Sequence, residues 1–282
     1  MVENRPLATF FAHLVLILGA VIVTFPILFT LLASTYEGSD VASGRVTLWP
    51  GTMGLENYWL ALTSGARYTA QNPAAHMLLN SAIMAVTIAV GKIFISLLSA
   101  FAVVYFRFPG RMLCFWVIFL TLMLPVEVRI LPTYKVISDL GMLDSYAGLT
   151  VPLIASATAT LLFRQFFMTV PPELAEAAKI DGAGPLKFFW DILMPLSVTN
   201  IAALFVILFI YGWNQYLWPL LITTSGGMDT VVIGMKKMIG GDDTQTDWGV
   251  VMATTILAML PPIVIIVVMQ RWFVKGLVEQ EK

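Results

Sequence analysis

The 282-residue chain is 59% hydrophobic and 12% charged, with a formal net charge of -1 and a mean hydropathy of +0.85, which leaves too little polar surface to cover a soluble globule. The near-neutral balance argues against nucleic acid as a partner, since phosphate binding needs clustered Lys and Arg on one face. One cysteine, Cys114, cannot form an internal disulfide, and His13 and His76 are too few for a zinc cluster.

A bilayer core takes roughly 20 apolar residues per helical span, and six stretches reach that length. The expected fold class is therefore an all-α integral membrane protein with six transmembrane helices. The first stretch, 7–33, follows Arg5 as a secretory leader would. Its apolar run is far longer than the roughly 7 to 15 residues of a cleavable signal core, so a retained span is expected. A connector over 34–76 follows, with turn signals at Trp49-Pro50-Gly51 and Asn72-Pro73.

The second stretch, 77–106, carries Lys92 near its middle, too deep to snorkel easily, where a charge is expensive unless something pairs with it. Two readings stand level: Lys92 meets a passing anion, or it forms a structural ion pair with Glu127. The third stretch, 112–134, bears Glu127 and Arg129 just after Pro125. Residues two apart on a helix point in different directions, so these need not pair with each other. Arg129 is a candidate solute contact and Glu127 a candidate partner of Lys92; alternatively both are interfacial residues bonded to another protein. The fourth stretch, 146–168, contains Ser156-Ala157-Thr158-Ala159-Thr160, small residues suited to close helix packing.

A hydrophilic break precedes the fifth stretch. Pro171-Pro172-Glu173 is a good helix start, because proline suits the first turn and an acid there complements the helix dipole. A short helix is expected over 174–180, broken by Gly182-Ala183-Gly184-Pro185, where Gly182 permits a positive φ. A second helix over 186–193 would place Phe189, Ile192 and Leu193 on one side and end at Pro195. Ala175, Ala177 and Ala178 lack bulk, so another protein can come close, and Glu176 offers a carboxylate to a basic partner. On the residues alone, a docking knob and an amphipathic helix in the headgroup layer stand about even.

In the fifth stretch, 198–223, Tyr211, Asn214, Gln215 and Trp218 follow i, i+3, i+4, i+7 spacing and so would share a face, with Pro219 able to kink the helix. Such a face fits a solute path or a subunit contact. It equally fits interhelical hydrogen bonds, worth about 0.6 kcal/mol each in membranes, or an aromatic belt. After a Gly-rich connector over 224–247, the sixth stretch, 248–272, contains Pro261-Pro262, a gating bend or a fixed kink. Arg5, Arg107, Arg111, Arg164, Lys179, Lys187, Arg271, Lys275 and Lys282 fall on one side of the spans, against Arg45, Arg67, Arg129, Lys135, Lys236 and Lys237 on the other. The bias puts both termini and the break at 171–197 in the cytoplasm. No G-x-x-x-x-G-K-[ST] phosphate loop and no nucleophile motif is present, so an enzyme is not expected. No internal repeat supports an inverted-repeat carrier.

Residues 176–195 read EAAKIDGAGPLKFFWDILMP, of the form E-A-A-x-x-x-G-x9-I-x-L-P with Met194 where Leu is usual, a volume-conserving change. The segment resembles the cytoplasmic coupling loop of binding-protein-dependent ABC importer permeases, and the resemblance extends over 77–271. It implies a type I ABC importer permease fold, with an N-terminal span (1–34), a periplasmic loop (35–76), a core domain (77–271) holding the coupling loop at 171–197, and a cytoplasmic tail (272–282). It implies that Glu176, Ala177, Ala178, Asp181 and Gly182 enter a cleft on an ATP-hydrolysing subunit. The implied partners are a homologous second permease, two ATP-binding subunits that carry ATP and Mg, and a periplasmic solute-binding protein. This chain itself would bind no cofactor and lie in the bacterial inner membrane. The stretches SAFAVVYFRFPGR, LMLPVEVRILPTYKVISDLGMLDSYAGL, FRQFFMTVPPELAEAAKIDGA and FIYGWNQYLWPLL place the resemblance in the maltose-type group, nearest the second permease of glycerol 3-phosphate importers. Glycerol 3-phosphate, with related glycerophosphodiesters, is the implied solute. A neutral sugar or oligosaccharide is the alternative, and a secondary carrier a more distant one.

Overall fold

The computed structural model describes residues 6–65, 72–121, 126–239 and 246–278, apart from the side chains of 6, 8, 126, 127 and 273–278. Every regular element among the described residues is helical. Four helices are long and apolar enough to cross a membrane: Thr9–Ala33 within α1 (Pro6–Ala33), α4 (Ala74–Tyr105), Pro185–Trp213, and Trp248–Trp272 within α14 (Trp248–Val278). The expected fourth span is a fifth candidate, but it is bent. It consists of α7 (Tyr146–Thr150), a 3-10 turn (Val151–Leu153) and α8 (Ala157–Thr169), and its halves meet at 48°. Pro152 lies in the 3-10 turn, and Ser156 starts α8 afresh by accepting a hydrogen bond from the Ala159 N–H at 3.3 Å. The expected third span falls on two shorter helices, α5 (Arg111–Leu120) and α6 (Val126–Asp139), on either side of residues 122–125, which lie outside the described residues.

The chain divides into two compact units, Met1–Met77 with Gly234–Met259, and Leu78–Ile233 with Leu260–Lys282. In the first, α1 is apolar throughout, and no residue of its most apolar window is buried. The connector after it holds α2 (Gly38–Ala42) and α3 (Gly54–Thr63). Buried Asn57 fastens α3 to the end of α1 by donating to the Ser34 and Tyr36 carbonyls at 2.9 and 2.8 Å. Those carbonyls lie past the helix end, where only a side chain or water can satisfy them.

In the second unit, Met84 and Ile88 of α4, Ile130 and Ile137 of α6, Leu149 of α7, and Trp218 and Ile222 of α12 (Leu217–Ile222) form one buried cluster. The Trp218 indole N–H donates to the Gly148 carbonyl at 3.2 Å, so the one polar atom of that side chain is satisfied inside the core. Gly212 lets α11 (Met194–Trp213) approach α4 so closely that a Cβ there would lie 2.9 Å from Ala85 Cα. Buried Asn80 and Ser81 of α4 hold the segment before α13 (Val231–Ile239) by hydrogen bonds to Gly227, Asp229 and Val231.

Candidate functional site

The hydrophilic break folds as two short helices. The first, α9 (Pro172–Ile180), begins where expected, with Pro172 and Glu173 in the first turn and Lys179 in the last. Its end is a Schellman arrangement: Gly182, at φ +72°, donates to the Lys179 carbonyl at 3.0 Å, and Ala183 donates to the Ala178 carbonyl at 2.8 Å. Nothing lies within 4 Å of the place where a Gly182 side chain would begin, so backbone conformation is what favours glycine there. Glu176, Ala177, Asp181 and Gly182 are exposed, whereas Ala178 is buried against the rest of the unit. Ile180 and Leu186, 86% and 69% exposed, flank the turn as largely uncovered apolar residues. The sequence reading passed over both, although an apolar residue inside a hydrophilic break was a visible signal.

The second helix, α10 (Pro185–Phe188), does not end at Pro195. A π turn over Phe189–Leu193 carries it directly into α11, so one continuous helix runs over Pro185–Trp213. The wider π turn takes up the missing proline N–H, which would break the ladder of a regular helix. Phe188 and Phe189 are buried and meet α4: the Phe188 ring centroid lies 5.2 Å from Tyr105, and that of Phe189 5.0 Å from Phe101. Tyr105 also packs against Phe167 of α8, 6.1 Å away, and its hydroxyl donates to the Phe167 carbonyl at 3.3 Å. The start of the α10–α11 helix is thus packed on α4, which at the same place packs on α8.

The other candidates lie along the apolar helices. Lys92 of α4 is 7% exposed, and its ammonium sits 3.8 Å from the centroid of the Tyr211 ring on α11. No acid forms an ion pair with it among the described residues; the Glu127 side chain lies outside them. Arg129 is exposed on α6. The single face expected of Tyr211, Asn214, Gln215 and Trp218 is not formed. The helix stops at Trp213, Asn214 caps it, and Gln215 folds back to donate to the Tyr211 carbonyl at 3.1 Å. The chain restarts as α12, with Pro219 in its first turn, where a missing N–H costs nothing. Tyr211 therefore faces Lys92, Trp218 belongs to the core cluster, and Asn214 and Gln215 end a helix. The Ser156–Thr160 segment does pack closely: Ala159 and Thr160 are buried, and Ser96 of α4 donates to the Ser156 carbonyl at 3.2 Å.

No group of three or more His, Cys, Asp or Glu side chains capable of holding a metal occurs among the described residues. What the geometry offers is an exposed two-helix knob keyed into three helices, and a buried cation between two of them.

Residues 92–279 match the family described as binding-protein-dependent transport system inner membrane component. The chain is 60% identical to the sn-glycerol-3-phosphate transport system permease protein UgpE of Agrobacterium fabrum, over 100% of both chains. It is 59% identical to the protein of the same name in Brucella melitensis, again over 100% of both. Among solved structures, a bacterial ABC transporter involved in the import of the acidic polysaccharide alginate contains a similar chain. The TM-score is 0.82 at 22% sequence identity, covering 97% of this chain and 99% of that one. At that identity the likeness establishes the fold.

Proposed function

This chain belongs to the family of binding-protein-dependent transport system inner membrane components, multi-pass permeases of ABC importers, and on that premise we propose that it forms one side of the path by which glycerol 3-phosphate enters the cell. The observation that carries the solute is the 60% identity over the full length of a glycerol 3-phosphate permease. Related glycerophosphodiesters fall within the same reading.

The chain is the non-catalytic part of the assembly. A homologous permease completes the path, two ATP-binding subunits hold ATP and Mg, and a periplasmic binding protein delivers the solute. Both termini and the α9–α10 knob lie in the cytoplasm, on the side richer in Lys and Arg. Glu176, Ala177, Asp181 and Gly182 present the face that meets an ATP-binding subunit, and Ala178 packs that face onto the permease. When the two ATP-binding subunits close, they draw the knob with them. Because Phe188 and Phe189 are wedged against Phe101 and Tyr105, the pull reaches α4 as well as α11. The path then opens in turn to the outside and to the inside.

The reading is tested with proteoliposomes holding the complete transporter and its binding protein, with and without internal ATP. ATP-dependent accumulation of labelled glycerol 3-phosphate is expected. Accumulation of a neutral sugar in its place would transfer the assignment to a sugar permease of the same architecture.

A further inference from the structure

A buried amine in a helix built for lipid needs explaining. Lys92 lies about 20 Å from the nearer end of α4 at a rise of 1.5 Å per residue. That places it inside the apolar run of the helix and not at its end, where a lysine side chain brings its charge out to water. The ammonium is nevertheless buried, and what it rests on is the face of Tyr211. An aromatic face replaces only part of the hydration that an ammonium loses on burial. No acid pairs with Lys92 among the described residues. A buried cation with so little compensation among the described residues makes a spot of positive potential that a lipid-facing site would not tolerate. An anion entering it supplies what the cation lacks.

We propose that the Lys92 ammonium, seated on the Tyr211 ring between α4 and α11, is a transient binding site for the phosphate group of the passing solute and makes passage selective for anionic solutes. The inference rests on the transport reading above and adds the residue that reads the charge. Tyr211 is a positioning residue: its ring holds the ammonium in place without neutralising it, as an aspartate would, so the site attracts a phosphate and releases it again. The arrangement also bears on coupling, because Lys92 and Tyr211 lie on the two helices that the α9–α10 knob moves through Phe188 and Phe189.

The test uses the intact transporter in proteoliposomes, reading the initial rate of labelled glycerol 3-phosphate uptake and the ATP hydrolysis stimulated by loaded binding protein. Lys92→Met keeps the side-chain length and removes a charge from the membrane interior, a change that favours assembly. Its uptake is expected to fall at least about tenfold, the loss that accompanies removal of one charged hydrogen-bonding partner, while stimulated hydrolysis stays at the wild-type level. Lys92→Arg keeps the charge and should recover most of the uptake. Tyr211→Leu should lose less than Lys92→Met, since the ring only positions the amine. Undiminished uptake in Lys92→Met would overturn the inference. So would failure of Lys92→Met to assemble, or equal losses of uptake and hydrolysis in Lys92→Met and Tyr211→Leu, since these mark a structural pair. Wild-type vesicles that hydrolyse ATP yet accumulate no glycerol 3-phosphate would overturn the transport reading itself, and this inference with it.

Discussion

Asn80 serves three partners at once. Its amide donates to the Gly227 and Asp229 carbonyls, each at 3.0 Å, and its carbonyl accepts the Tyr146 hydroxyl at 2.6 Å. Asn80→Ala would remove all three of these hydrogen bonds, at a cost of roughly 1–3 kcal/mol. A lower thermal unfolding midpoint in detergent is expected; an unchanged midpoint would mean that the network carries no stability. Asp144 works differently. It sits at φ 51°, and its carboxylate accepts from the Thr224 and Ser225 N–H groups at 2.7 and 2.9 Å and from both hydroxyls. The Ser225 N–H first, and then the Thr224 hydroxyl, hold its pKa down from 3.8 to about 2. A carboxylate depressed in the folded state stabilises fully above its ordinary pKa, and that contribution is lost as pH falls through the folded value. The stability gap between wild type and Asp144→Asn should therefore be flat above pH 5 and narrow between about 4 and 2; a gap that widens on acidification would contradict the assignment. Neither residue was legible beforehand. Asn80 reads as one polar residue in an apolar run, and its partners lie 66 to 149 positions away.

The long helices were readable from hydropathy, because a span needs only length and apolarity. The interruptions were not. Hydropathy does not fall at Pro152, so the bent fourth span leaves no trace in an apolarity profile. Asn214-Gln215 is a visible polar dip, but it reads equally as one polar face of a continuing helix and as the break where the fifth span ends at Trp213 and restarts as α12. The π turn at Phe189–Leu193 depends on how Pro195 is accommodated, and Phe188 and Phe189 find their place through rings on α4. The α9 helix and its Gly182 turn were legible to within two residues, since proline, acid and glycine fix such ends locally. Packing between α4 and α11 hinges on Gly212, where Ala85 leaves no room for a Cβ. Gly212→Leu is expected to destabilise by about 1–3 kcal/mol through overpacking, read as a reduced yield of assembled complex and a lower unfolding midpoint. Wild-type yield and midpoint would show that the helices part at no cost.

At the scale of the whole molecule, α4 and α11 carry two separate contacts along their length. One end meets the knob through Phe101, Tyr105, Phe188 and Phe189, and further along the same helices Lys92 meets Tyr211. The two-helix shape of the knob was legible because its residues are contiguous and proline, acid and glycine fix its ends locally. The Lys92 environment was half legible: a charge at membrane depth announced itself, but Tyr211 as the group beneath it emerged only from the packing of two helices. The central claim is that ATP turnover on partner subunits moves this chain through α9 and α10. The most direct measurement records ATP hydrolysis and glycerol 3-phosphate uptake on the same vesicles for wild type and Gly182→Asp. This substitution adds a charged side chain to the exposed turn at a positive φ that costs a non-glycine residue about 1 kcal/mol. The account predicts that the variant reaches the membrane and that hydrolysis continues or falls to its basal rate while uptake is lost. Uptake at the wild-type rate per ATP hydrolysed would contradict it.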